Sequence, residues 1–105
     1  MAEDILFKVL TPLGFWVHAT QSRWNLIVTI KHQTMSGREA EVQDALRDPD
    51  EIRRSRSDPD VCLFYRRERP SRWICAVAKR VDDGGFLITA YPTDAIKEGE
   101  RLWNR

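Results

Sequence analysis

A histidine, a threonine–tyrosine pair and a set of arginines are the side chains with which this chain could do chemistry. His32 stands in KHQTMSG, between an apolar segment and a helix-like one, at the kind of junction where functional side chains are exposed. An unperturbed imidazole, with a pKa of about 6.5, is the natural proton carrier near neutral pH. Thr89 and Tyr91 lie two residues apart in GFLITAYPTD, just before Pro92. A strand alternates its side chains, so Leu87, Thr89 and Tyr91 are expected on one face and Phe86, Ile88 and Ala90 on the other. Hydroxyls share a face when it is exposed, when they find partners there, or when something binds. Arg66, Arg67 and Lys79 fall on adjacent strands, so one sheet can present cations beside hydroxyls. Such a set suits attack of an RNA 2′-hydroxyl on its own phosphodiester. That reaction takes a base for the hydroxyl proton, an acid for the leaving oxygen and fixed positive charge for the phosphorane. It requires no metal and no cofactor. Plainer roles stand beside this one: Thr and Tyr are favoured in strands, His32 can be a polar loop or capping residue, and arginines guard strand edges.

The elements that must position these groups can be read from period and punctuation. ILFKVL, GFWVHAT and WNLIVTI read as three strands, divided by Thr11–Gly14 and by Gln21-Ser22-Arg23, and make an N-terminal β extension over residues 1–30. Ser36 and Glu39 form an S-x-x-E capping box for a helix over 36–47, with Met35, Val42, Ala45 and Leu46 as its apolar stripe and Asp48-Pro49 as its stop. From residue 52 onward IRRSR, VCLFYRR, RWICAVAKRV and FLITAY read as four strands joined by short turns, an antiparallel β-meander with the helix on one face. Thr93 or Asp94 then caps a short C-terminal helix in DAIKEGERLW, weakened by Gly99. The expected fold class is therefore α+β.

With 105 residues, 42% of them apolar, the chain has the size and composition of one folded domain. No apolar run approaches the roughly 20 residues of a membrane span, and MAEDILFKVL lacks the basic start of a signal peptide, so a cytoplasmic location without membrane association is expected. Cys62 and Cys75 sit in apolar stretches without metal-ligand spacing and read as buried thiols. The net charge of +1 excludes general nucleic-acid coating, yet residues 51–80 hold nine cations against four anions. A polyanion, if bound, is expected there, with Arg53, Arg56, Arg67 and Lys79 as contacts and Lys31 beside His32.

The segments KHQTMSGREAEVQDALRDPDEIRRSRSDP, LFYRR, ICAVAKR and FLITAYPTD resemble the barnase, EndoU, colicin and RelE-like nucleases, especially their small prokaryotic and phage-associated branches. The resemblance covers about residues 31–103. It rests on a histidine ahead of the helix, a proline after it, an arginine-bearing strand and a terminal T-x-Y strand. It implies a metal-independent endoribonuclease acting on tRNA or mRNA, a fold often deployed as a toxin and held in check by an antitoxin or immunity protein. On that resemblance His32 is general base or acid. Arg53 or Arg66, with Lys79, clamps the phosphate, and Thr89 and Tyr91 position it. The near-neutral charge and the added β segment depart from the pattern, and fold alone does not guarantee cleavage. A non-catalytic RNA- or protein-binding module of the same fold is the alternative.

Overall fold

The computed structural model describes residues 4–96 and 99–105. Its strands are β1 (Ile5–Leu10), β2 (Trp16–Thr20), β3 (Glu51–Arg54), β4 (Val61–Arg69), β5 (Arg72–Val81), β6 (Gly84–Thr93) and β7 (Arg101–Asn104). They form one sheet in the order β1-β2-β6-β5-β4-β3-β7. All neighbours are antiparallel except β2 and β6, which run parallel from Trp16–His18 against Gly84–Phe86. The expected architecture, a helix on a four-stranded antiparallel meander, is thereby corrected. β3 to β6 do pair in sequence, but they are the middle of a seven-stranded mixed sheet with two short helices, α1 (Gln21–Leu26) and α2 (Glu39–Arg47).

Two tight turns explain why the meander forms. Arg69 pairs with Arg72 around Pro70-Ser71, with Ser71 at φ 60°, the arrangement of a turn with proline first and a positive φ second. Val81 pairs with Gly84 around Asp82-Asp83, with Asp82 at φ 53°. Alternation then divides the sheet into two faces. One face packs Cys62, Phe64, Ile74, Ala76, Ala78 and Ala90 against Val42, Ala45 and Leu46 of α2 and against Phe7, Phe15 and Val17 from the N-terminal strands, all in one apolar core. The small side chains on β5 and β6 allow that layer to lie close. The second face carries a smaller cluster of Leu63, Tyr65 and Cys75, with Trp73, Val77, Tyr91 and Ile96 against it.

Three local expectations change. WNLIVTI is not a strand: Thr20 caps α1 by accepting the Arg23 N–H at 3.1 Å, and the helix runs on into a π-helical turn, Ile27–Lys31. Trp24 and Ile27 are buried while Ile30 is 74% exposed, a spacing that a helical turn satisfies and strand alternation does not. The Ser36/Glu39 box is not used either. Residues Gln33–Met35 form a 3₁₀ turn, Gly37 takes φ 80°, and α2 begins only at Glu39. Arg38 at the helix entrance is tied by ion pairs to Glu41 and Glu68. The C-terminal segment is a strand rather than a helix. Gly99 adopts φ 76° so close to β3 that a Cβ would stand 1.5 Å from the Arg54 carbonyl oxygen, and the Arg54 N–H donates to the Glu100 carbonyl at 2.8 Å. β7 then pairs with β3, and part of the expected helix, residues 97–98, lies outside the described residues. No helix among the described residues is long and apolar enough to cross a membrane.

Candidate active site on the second face of the sheet

The geometry of the site begins with an irregularity in β6. Val77 pairs with Thr89, but Ala78 pairs with Leu87, so Ile88 is an extra residue in the ladder. The bulge turns Leu87 into the main core, where it is 1% exposed, and leaves Thr89 and Tyr91 opposite Val77 and Cys75 on the second face. The expectation that Leu87 shares their face is corrected. Beyond Phe86, β6 loses β2 as a neighbour, because their pairing ends at His18. The π-helical turn and the 3₁₀ turn pack on β6 instead and carry His32 between them.

His32 is fixed through its backbone, its N–H donating to the Ile27 carbonyl at 2.6 Å and its carbonyl accepting from Met35 at 3.0 Å. Its imidazole lies against the Tyr91 ring, with centroids 5.4 Å apart and planes inclined by 39°. Thr89, two residues back on the same face, has a buried Oγ1 with no hydrogen-bond partner among the described residues. A buried hydroxyl left unsatisfied costs about 1–3 kcal/mol. His32, Thr89 and Tyr91, separated by more than fifty positions in the chain, are thus brought to one place.

The cations divide. Arg66 pairs with Ile74 and belongs to the helix-bearing face, opposite Thr89 and Tyr91. Its Nη1 donates to the Asp48 carbonyl at 2.6 Å and to Asp48 Oδ2 at 3.1 Å. Its expected place in the catalytic set is corrected, for neighbours along a strand point to opposite sides. Asp48 also receives Arg105 at 2.7 Å, and that hydrogen bond, with Arg66, holds its carboxyl below the ordinary range. Arg53 is on the second face but is occupied by Glu51 and by the Gly99 carbonyl, to which its Nη1 donates at 3.1 Å. It fastens the connection between β6 and β7. Arg67 is on that face opposite Trp73, and Arg56 is in the β3–β4 loop; both are exposed and neither adjoins His32 in the sheet. Lys79 also shares the face of Thr89 and Tyr91, one alternation beyond Val77. Its Nζ lies 3.0 Å from Asp58 Oδ2. The Asp60 N–H, then Lys79, hold the Asp58 carboxyl below its usual value. Lys31, next to His32, is exposed and has no ion pair among the described residues.

Two residues outside the expected site extend this face. Trp16 and His18 on β2 alternate with the buried Val17 and Ala19, and His18 pairs with Phe86. His18 lines a cavity of about 180 Å³ with Thr20, Arg23 and Phe86. Alternation in FWVHA is the signal that could have found them; the parallel pairing that sets them beside β6 has no local signal. Cys62 and Cys75 are both buried, outside any disulfide and on opposite faces, and burial raises the Cys62 thiol pKa. Among the described residues no three His, Cys, Asp or Glu side chains converge as metal ligands. Comparison with protein-family models, curated proteins and solved structures gives no match.

Proposed function

We propose that the chain is a metal-independent endoribonuclease that works on the second face of the sheet, with His32, Thr89 and Tyr91 about one phosphate and Lys79 further along the same face. The contact of His32 with Tyr91 at 5.4 Å carries this reading, since it joins the proton carrier to the T-x-Y strand named by the resemblance to barnase- and RelE-like nucleases. In the reaction the substrate's 2′-oxygen attacks phosphorus, the bond from phosphorus to the 5′-oxygen breaks, and a 2′,3′-cyclic phosphate remains. His32 either accepts the 2′-hydroxyl proton, water then protonating the leaving 5′-oxygen, or supplies a proton to that oxygen while water takes the one from the 2′-hydroxyl. Thr89 and Tyr91 donate hydrogen bonds to the non-bridging oxygens, and Lys79 offsets their charge. A cytoplasmic setting, where tRNA and mRNA are at hand, fits the reading.

Purified protein incubated with total RNA in EDTA, with fragment ends analysed, is the test. Cyclic phosphate ends are expected, with losses of about 10²- to 10⁴-fold in His32→Ala and about 10²- to 10³-fold in Tyr91→Phe. Arg66→Ala should cut nearly as the wild type does. A second reading, an RNA- or protein-binding module that does not cut, is favoured by the ion pairs that already engage Lys79 and Arg53. Folded wild-type protein that binds RNA and never cleaves it would establish that reading instead.

A further inference from the structure

The second face continues past the His32–Tyr91 pair onto β1 and β2. There Trp16 is 46% exposed and Val81 47%, although both belong to regular strands. The parallel pairing sets Trp16 beside Gly84, which has no side chain to fill the space, and His18 beside Phe86. The result is a trough of about 450 Å³ with Trp16, Val81 and Phe86 as apolar walls and Lys8, His18 and Asp83 as its polar groups. Lys8 Nζ stands over the Trp16 ring, 5.5 Å from its centroid. An accessible indole, a neighbouring phenyl ring, a bare glycine floor and a cation suit a planar ring carried on a polyanionic chain.

We infer that this trough seats an unpaired nucleobase of single-stranded RNA, stacked against Trp16 and Phe86, with Lys8 meeting an adjoining phosphate. The inference rests on the RNA reading above. It is continuous with that site, because Phe86, Thr89 and Tyr91 follow one another along one face of β6. Phe86 and Tyr91 are roughly 16 Å apart at the rise of a strand, a distance that a few nucleotides span. A duplex cannot use the trough, since its bases are already stacked on one another. Binding through Trp16 and cleavage at His32 are therefore separable functions of one surface.

A short 2′-O-methyl RNA, which has no free 2′-hydroxyl and cannot be cut by the proposed route, measures binding alone by fluorescence anisotropy. Trp16→Ala and Phe86→Ala should each weaken it by about 5- to 100-fold, the effect of one lost base–aromatic stack, and Trp16→Phe should restore most of the loss. Arg47→Ala, on α2 at the opposite face of the sheet, should bind like the wild type. Because Trp16 is half exposed, its removal should leave the melting temperature close to that of the wild type. A folded Trp16→Ala protein with wild-type affinity, or equal affinity for the matching duplex, overturns the inference, as does a wild type that does not bind the probe. If Trp16→Ala also cuts natural RNA normally, the stacking site fails and the cleavage reading stands. If the protein binds through Trp16 and never cuts, the reverse holds.

Discussion

Thr89 separates function from stability more cleanly than any other residue of the site. Its buried Oγ1 lacks a partner among the described residues, so Thr89→Val, which keeps the shape and removes the hydroxyl, should leave the protein as stable or stabilise it by about 1 kcal/mol while slowing RNA cleavage. Thermal melting and a cleavage assay on the same preparation check the two signs; a clear loss of melting temperature would mean that the hydroxyl is structurally satisfied. Asp58 gives a pH signature. Its folded pKa is depressed, so its stabilising contribution is present above the ordinary carboxylate pKa of about 3.9 and is lost as pH falls through the folded value. Wild type should melt above Asp58→Asn at pH 6, and the difference should close as the pH falls through the depressed folded value. At this scale the T-x-Y pair was legible, because period two puts both residues on one face whatever the strand pairs with. Arg66 and Arg67 were not distinguishable. Which of two adjacent arginines turns towards the helix is decided by their partners, Ile74 and Trp73, and those contacts are not local.

Elements whose neighbours in sequence are also their neighbours in space were read most faithfully. β3 to β6 are joined by short turns, and their turn residues state the pairing directly. The segment from Trp24 to Ile30 was not, because a short apolar run serves a strand or a buried helix equally until the Thr20 cap and the burial of Trp24 and Ile27 are known. β7 was hidden for another reason: ERLW has no strand signature, and its conformation follows from Gly99 lying on the β3 backbone. Gly99→Ala should therefore cost at least the roughly 1–3 kcal/mol of a non-glycine residue at positive φ, with the contact at Arg54 added. Urea denaturation measures it, and an unchanged midpoint would show that β7 is not held there. Phe64 tests the union of the N-terminal strands with the meander. It is fully buried and meets Phe15 edge-on at 6.3 Å, so Phe64→Ala should destabilise by about 3–5 kcal/mol.

Across the whole molecule, the small net charge of +1 limits how the proposed RNA substrate would be held. Binding through Lys8 and Lys79 on the second face and Lys31 beside His32 corresponds to a slope of about −2 in log affinity against log salt, at about −0.7 per phosphate for a single strand. Titration of the 2′-O-methyl probe between low and moderate salt measures that slope, and a value several times steeper would mean that the arginines, Arg67 on the same face included, take part. The parallel joint between β2 and β6 has a different consequence, one of timing. During synthesis the β1–β2 hairpin leaves the ribosome long before Gly84, the partner of Trp16, has been made. Until then Phe7, Val9 and Val17 have α2 to pack on but no strand of the main sheet to join, and an isolated hairpin is marginally stable in water. Folding must wait for β6, which closes the longest loop in the sheet at a cost in entropy and rate. The nascent chain is most open to proteases and chaperones in that interval, and the same strand that carries Thr89 and Tyr91 ends it.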